Sequence, residues 1–284
     1  GPEMGKVLSL TQALMFIAPV AAPILGALIL KVADWNMTFI ALAILNAITL
    51  MTVLLLDETL PEAQRVQEST LRSILGLTKV VRNPVFTSLL LAGGALTAPF
   101  MAYISVASYV YVNQFDTSES MFSIYFAVTA GLTVIGPLLY ARFGQKPFKR
   151  VVGIGVSVAT IAGVLLLTIG KMSPILFLIS YVPFAVMSSY LRPNNANLLL
   201  NAQKGNIGAA SAAMNFGFTI LGSAGMFIGS LPWSSYVSGI AFTIFIFTAA
   251  AIVIFTVVNK FKLFNNLGTA QEQGKKAPAS PAPR

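Results

Sequence analysis

Long apolar stretches separated by short polar segments dominate this chain of 284 residues. We interpret eight of them as helices that cross a bilayer, because a helix rises about 1.5 Å per residue and about 20 apolar residues span the hydrocarbon core. The predicted spans are residues 7–30, 35–56, 85–112, 120–140, 151–170, 174–201, 207–231 and 236–258, and none contains Asp, Glu or His. The pattern predicts an all-α polytopic membrane protein with eight transmembrane helices.

The composition agrees with a membrane environment. Hydrophobic residues make up 56% of the chain and charged residues 10%, whereas a soluble domain averages about 25% charged residues. The net charge of +9 does not indicate nucleic-acid binding, because the basic residues lie in short loops between the spans. Without His, Cys or a carboxylate in any span, the usual acid-base and nucleophilic groups are missing. We therefore expect no enzyme activity, no bound metal and no cofactor.

The loops alternate in charge along the chain. Most Lys and Arg residues lie in one set of loops and in the two terminal segments, whereas the opposite loops hold only Lys31 and Lys171. Loops that stay in the cytoplasm are enriched in Lys and Arg. The alternation therefore predicts that both ends of the chain are cytoplasmic.

The longest polar connection, residues 57–83, separates two spans from the following six. Within it Leu71, Ile74 and Leu75 share one helical face, which predicts a short amphipathic helix on the inner leaflet. The predicted organisation is two helices in residues 1–56, a cytoplasmic linker in residues 57–83, a six-helix bundle in residues 84–260 and a disordered cytoplasmic tail in residues 261–284, which is rich in Ala, Pro, Gln and Lys.

Two prolines one turn apart, Pro19 and Pro23, precede Gly26 in the first span. Proline removes a backbone donor and bends a helix, and small residues let helices approach closely. The sequence Ala-Pro-x-x-Ala-Pro-x-x-Gly resembles the antiporter motif in the fifth helix of the drug/proton antiporter branch of the major facilitator superfamily. The nearest resemblance is to the bicyclomycin and chloramphenicol exporter type.

Other segments follow in the order that this family requires. They are residues 4–10 before the fifth helix, Trp35 with Phe39 in the sixth, residues 58–61 in the central loop, residues 103–105 and 109–111 in the seventh, residues 193–194 in the tenth and residues 210–213 in the eleventh. The family has twelve helices in two halves. The resemblance implies that this chain holds the fifth to the twelfth, so that the fold is a partial one and the first four helices are missing.

The resemblance also implies a function. It implies a secondary transporter of the bacterial inner membrane that exports drugs or other small amphipathic molecules in exchange for protons by alternating access. The partners would be membrane lipid, the small-molecule substrate, protons as the coupling ion and the missing N-terminal helices, which in this family hold the proton-binding acid. The competing interpretation is a non-transporting membrane partner or receptor-like remnant.

The sixth span carries polar residues well inside an apolar run. Arg192 is followed by Asn194 and Asn195, and an arginine at that depth is expected to face the bundle interior and to need a partner. Alternatively, the span ends near Leu191 and Arg192 reaches the headgroups.

Aromatic and small polar side chains suit a pocket for bulky, partly apolar ligands. We therefore predict a substrate site formed by Tyr103, Ser105, Tyr125, Phe126, Tyr181, Arg192, Asn194, Asn195 and Asn215. Tyr109 and Tyr111 are further aromatic residues of the third span, but they lie close to its end. Their alternative role is in an aromatic belt at the membrane interface rather than in the pocket.

Residues 142–150 resemble the short basic loop between the eighth and ninth helices of the family. The resemblance implies a gating loop that contains Arg142, Gly144, Lys146 and Arg150. Ala141 stands where the family has an acidic residue. The alternative is therefore that the four cations of this loop only follow the rule that cytoplasmic loops are basic.

Overall fold

The computed structural model describes residues 22, 25, 26, 28–56, 77–143, 147–202 and 207–260, and all regular structure within them is helical. The helices are α1 (Asn36–Leu54), α2 (Pro84–Ser108) with a π-helical extension (Tyr109–Gln114), α3 (Glu119–Thr133), α4 (Ile135–Phe143), α5 (Phe148–Thr168), α6 (Pro174–Asn201), α7 (Ile207–Gly229) and α8 (Tyr236–Lys260). Pro19, Pro23, the predicted amphipathic helix and the predicted tail lie outside the described residues.

Seven of the eight predicted spans fall within the described residues, and each is long and apolar enough to cross a membrane. The sixth predicted span matches α6 (Pro174–Asn201), although Pro183 and Pro193 lie inside this helix. The first predicted span lies mostly outside the described residues; those that are described at its end have helical backbone. The sequence prediction of an all-α polytopic membrane protein is confirmed.

Helix α1 is apolar on all sides and buries none of its residues within the described part of the chain. Its polar side chains are satisfied by its own backbone: Asn46 donates to the carbonyl of Leu42 at 2.8 Å, and Thr49 to that of Leu45 at 2.8 Å. Such internal bonding removes the penalty of placing a polar group in hydrocarbon. Any face of α1 is therefore suited to contact lipid or another helix.

Most of the remaining helices pack around α2, whereas α4 packs on α6 and α3. Helix α2 contacts α5, α6, α7 and α8, and 15 of its 25 residues are buried. It begins where Asn83 accepts hydrogen bonds from the backbone N–H groups of Val85 and Phe86, with Pro84 in the first turn, where a missing donor costs nothing. Asn83 also donates to the carbonyl of Ala202 at the end of α6, at 3.3 Å.

The last residues of the predicted linker belong to the bundle. Residues 77–81 are helical, and the Val80 side chain is buried in the same apolar core as Phe86 and Leu199. This end of the connection is therefore held against protein rather than lying on the membrane surface.

The fourth predicted span is broken at Val134 into α3 and α4. The cause is Pro137, which has no N–H to bond the carbonyl of Thr133 four residues earlier. Ser189 of α6 satisfies that carbonyl instead, donating at 2.7 Å. Gly136 allows the approach, because a Cβ at this position would overlap Ser189 Oγ and the backbone of α6.

The end of α2 is joined to the start of α8 by hydrogen bonds. The π-helical extension closes with Phe115 N–H donating to Val110 O at 3.0 Å. The Gln114 side-chain oxygen then accepts from Ser235 Oγ and from Tyr236 N–H, each at 3.1 Å. Asp116 follows in the left-handed region at φ 52°.

The charged residues distinguish the two ends of the bundle. Asp116 and Glu119 lie at one end, which we call the acidic end. The other end, which we call the basic end, holds Arg82, Arg142, Lys149 and Arg150.

Candidate functional site

A group of six rings from α2, its π-helical extension, α3 and α6 fills the bundle towards the acidic end. We call it the tyrosine cluster, and it consists of Tyr103, Tyr111, Tyr125, Phe126, Phe177 and Tyr181. The ring of Tyr103 stacks on that of Tyr181 with centroids 4.2 Å apart and on that of Phe126 at 5.8 Å. The ring of Tyr111 stacks on that of Tyr125 at 4.9 Å. Four of the nine predicted substrate-site residues are therefore in one place.

The tyrosine cluster is packed shut in this structure. Tyr103 is 2% exposed and Tyr181 0%, so their faces contact each other rather than an open cavity. The Tyr103 hydroxyl lies 3.2 Å from Thr129 Oγ1, which itself donates to the carbonyl of Tyr125 at 3.0 Å. The hydroxyls of Tyr111, Tyr181 and Ser180 are buried and have no hydrogen-bond partner among the described residues. An incoming ligand that separates these rings would find three unused polar groups.

A second polar group lies on α6 towards the basic end and contains Arg192, Asn194 and Asn195. Asn195 is 2% exposed, and neither polar atom of its side chain has a partner among the described residues. It lies against Gly93 of α2, where any Cβ would overlap the amide. Burying an amide without partners is unfavourable, so this position has spare capacity for a hydrogen-bonding ligand or for water.

Arg192 lies on the buried face of α6 and is nevertheless exposed. Ser188, Tyr181 and Leu199 are 4, 11 and 7 residues away, which places them on the same side of the helix, and all three are buried. Arg192 makes no hydrogen bond or ion pair with the described residues. The buried face of α6 is therefore interrupted by one exposed cation, Arg192. The helix α6 itself continues past Leu191 to Asn201, and the alternative that Arg192 reaches the headgroups stays a prediction.

The predicted site is divided along α6 rather than gathered at one point. Tyr181 and Arg192 are 11 residues apart, which is about 16 Å along a helix axis. Ser105 belongs to neither group, since its hydroxyl donates to the carbonyl of Ala102 in its own helix at 2.8 Å. Asn215 is exposed on α7.

The residues predicted to bend or gate the protein are only partly described. Arg142 and Arg150 are exposed at the ends of α4 and α5, while Gly144 and Lys146 lie outside the described residues. Gly26 has helical backbone, and no side chain or backbone of another described element lies within 4 Å of a Cβ built on it.

The two tyrosines considered for an aromatic belt differ in exposure. Tyr109 is 51% exposed, whereas Tyr111 is 0% exposed and belongs to the tyrosine cluster.

Three residues of these two groups were missed by the sequence analysis: Thr129, Phe177 and Gly93. Phe177 is the ring that joins the cluster, with centroid distances of 5.3 Å to Tyr111 and 6.1 Å to Tyr103. The spacing of Phe177, Tyr181 and Phe184 on one helical face was a usable signal. Gly93 had none, because a close contact between two helices leaves no pattern within either one.

Two conservative substitutions should distinguish how the hydroxyls of Tyr103 and Tyr181 contribute to stability. Tyr103→Phe is expected to lower the free energy of unfolding by about 1 kcal/mol, because the hydrogen bond with Thr129 is lost. Tyr181→Phe is expected to leave it unchanged or to raise it, because the buried hydroxyl has no partner in this state. The measurement is reversible denaturation of the purified chain in detergent; equal losses in both variants would contradict the assignment.

Comparison with known proteins places this arrangement in a family. The chain matches the Major Facilitator Superfamily over residues 1–226. It is 29% identical over 229 residues to an uncharacterised MFS-type transporter, YdgK, of Bacillus subtilis, a match that covers 78% of this chain and 57% of that protein. It is 22% identical over 260 residues to the multidrug resistance protein MdtM of Escherichia coli, covering 89% of this chain and 62% of the relative.

A third match, to the multidrug transporter MdfA of Edwardsiella ictaluri, has 29% identity over 154 residues and covers 53% of this chain and 37% of that protein. The chain thus spans less than two thirds of the length of these three relatives. The family match covers well over half of the chain and agrees with its helical, membrane-spanning architecture. This chain belongs to the Major Facilitator Superfamily.

Proposed function

We propose that the chain is part of a secondary transporter that exports drugs or other small, partly apolar molecules in exchange for protons. Within that proposal it supplies the fifth to twelfth helices of a twelve-helix protein of the bicyclomycin and chloramphenicol exporter type, in a bacterial inner membrane with both chain ends in the cytoplasm. Support comes from the antiporter-type proline and glycine pattern, from the basic loops and from relatives named as multidrug proteins.

The observation that carries the proposal is the interruption of the packed face of α6. Towards the acidic end lies the closed tyrosine cluster with unused hydroxyls. Towards the basic end lie the exposed Arg192 and the Asn195 amide, which has no partner among the described residues. A helix that served only to fill the bundle would bury apolar side chains along its whole inner face. Aromatic faces with a few polar groups are typical of sites for bulky ligands, and the rings of the tyrosine cluster must separate before such a ligand can enter. We therefore propose that substrate binding accompanies a change of the bundle between closed and open states, as alternating access requires.

We further propose that the proton acceptor lies outside the bundle. The acids of residues 84–260 are Asp116 and Glu119, and both lie at the acidic end, in the turn before α3 and in its first turn. Tyrosine and arginine titrate far above physiological pH. The six-helix bundle would then supply the substrate site, while a carboxyl group on another helix of the transporter carries the proton.

Arg192→Gln is expected to reduce drug efflux about tenfold. This factor corresponds to the loss of one charge-assisted hydrogen bond from Arg192 to the substrate or to a partner helix. The assay uses inverted membrane vesicles from cells that express the transporter, energised by respiration, with a fluorescent cationic or neutral drug. Arg82→Gln is the matched control, because Arg82 is also exposed towards the basic end but lies at the start of α2, away from the inner face of α6.

Two results would refute the proposal. Equal efflux in the wild type and in Arg192→Gln would remove Arg192 from the site. Efflux that continues undiminished after a protonophore has collapsed the proton gradient would remove the proton coupling, whatever the behaviour of the variants.

A further inference from the structure

A groove opens between α4, α5 and α6, with a volume of about 610 Å³. Its walls are apolar apart from Arg150 and Tyr190, and they include Phe143, Ile154 and Pro183. Phe143 is 55% exposed and Ile154 49% exposed, so the groove is accessible from outside the bundle.

The groove lies on the opposite side of α6 from the proposed substrate site. Pro183 and Arg192 are nine residues apart, and at 100° per residue this places their side chains about 180° apart around the helix. Tyr190 also lies on the side of Pro183, where its ring makes an edge contact with that of Tyr140 at 6.1 Å. The groove therefore faces the surroundings of the bundle, which in a membrane are lipid.

The groove has the length of one membrane leaflet. It extends along α5 from Arg150 to Val158, a rise of about 12 Å over eight residues. Along α6 it extends from Tyr190 to Pro183, a rise of about 10 Å. Half of the hydrocarbon core is about 15 Å thick, so a groove that begins at the basic end of the bundle ends near the bilayer midplane.

Among the described residues, the cations at the entrance have no acidic partner. Arg150 lines the groove, and Arg142 and Lys149 are exposed next to the lining residues Phe143 and Arg150 in the sequence. None of the three forms an ion pair with a described residue. The acids among residues 77–143, 147–202 and 207–260 are Asp116 and Glu119, at the other end. Positive charge that no described acid neutralises, beside an apolar slot, is complementary to a ligand with an anionic head and an apolar tail.

We propose that this groove is a binding site for one anionic phospholipid of the leaflet at the basic end. The phosphate and the negatively charged headgroup lie against Arg150, with Arg142 and Lys149 adding to the attraction. One acyl chain extends along Ile154 and Val158 towards Pro183. Basic pockets between transmembrane helices favour anionic lipid headgroups, and here the pocket also has a leaflet-long apolar extension. The site is independent of the transported substrate, because it uses the other face of α6.

The test is native mass spectrometry of the purified 284-residue chain in detergent, titrated with phosphatidylglycerol and with phosphatidylcholine of identical acyl chains. Phosphatidylglycerol is expected to bind at least about fivefold more tightly than phosphatidylcholine. Arg150→Gln is expected to weaken the binding of phosphatidylglycerol about fivefold, because one basic residue near an anionic lipid contributes about that factor to affinity. Arg82→Gln, at the same end but outside the groove, is expected to change binding little.

A second pair of variants tests the acyl-chain part. Ile154→Trp is expected to weaken both lipids about equally by filling the groove. Ile161→Trp is the matched control, since Ile161 is two turns further along α5, is 58% exposed and does not line the groove. All four positions are exposed, so folding should persist, and the melting temperature of each variant verifies this.

The outcomes are distinguishable. Equal affinity for the two lipids, or equal losses in Arg82→Gln and Arg150→Gln, would show general attraction to a basic surface and would overturn the site. Normal binding in Ile154→Trp would overturn the groove as the place where the acyl chain lies. Drug efflux that persists in Arg82→Gln, Ile154→Trp and Ile161→Trp would leave the proposed transport function unaffected by either result.

Discussion

Gly136→Val is expected to destabilise the bundle by roughly 2–4 kcal/mol, from overpacking and from the loss of one buried hydrogen bond. A Cβ at Gly136 would overlap Ser189 Oγ, the backbone nitrogen of Tyr190 and the carbonyl of Val186. Two of these are backbone atoms of α6 and cannot turn aside as a side chain can. Separating the helices would also remove the Ser189 hydroxyl from the Thr133 carbonyl, whose usual helical donor is missing because Pro137 lacks an N–H.

The measurement is the free energy of unfolding in mixed detergent micelles, with helix content followed by circular dichroism. Gly131→Val is the matched control, because Gly131 lies in the same predicted span and a Cβ there would have nothing within 4 Å. Both substitutions replace glycine with the same β-branched residue, so their difference isolates the contact with α6. Equal stability of the two variants would show that α4 does not pack on α6 in this way.

Gly225→Val is expected to cause a loss of about 3 kcal/mol or more, because it forces apart the backbones of α2 and α7. A Cβ at Gly225 would overlap the carbonyl group of Ala98, and one at Gly229 would overlap Ala102 one turn further on. The close approach along this line brings α7 onto the most deeply buried helix of the bundle. Packing between transmembrane helices depends on such close contact, because lipid is as apolar as the side chains it would replace.

The same unfolding measurement applies, together with gel filtration to detect aggregated protein. Gly153→Val on α5 serves as the control, since a Cβ on Gly153 would have nothing within 4 Å. We expect Gly225→Val to be poorly folded and Gly153→Val to behave like the wild type. A stable, monodisperse Gly225→Val protein would contradict the packing of α7 on α2.

The spans were predictable because length and hydropathy report directly on the thickness of the hydrocarbon core. The start and end of α6 agree with the prediction at Pro174 and Asn201. The break at Val134 was also within reach, since Pro137 follows it by three residues, but its satisfaction by Ser189 was not. That bond joins residues 56 positions apart, and no local pattern encodes which hydroxyl will approach a freed carbonyl.

The faces of the helices were much harder to predict than their ends. In water, the buried side of a helix is apolar and the exposed side is polar, so the pattern shows which is which. In lipid both sides are apolar, and the sequence of α2 gives no sign that Tyr103 points into the core while Ser105 does not. For the same reason the tyrosine cluster was predicted through its separate tyrosines, whereas the Gly93–Asn195 contact was missed.

The central position of α2 affects how the protein is made. Its main partners, α7 and α8, are translated more than 100 residues later, and the Gln114 side chain that caps α8 must wait for Ser235 and Tyr236. During synthesis α2 therefore enters the bilayer without most of its final contacts, and the ribosome is near the end of the bundle before they can form. Premature termination before α8 would leave the α8-facing side of α2, the most buried of the described helices, exposed to lipid, in a state that proteases of the membrane can recognise.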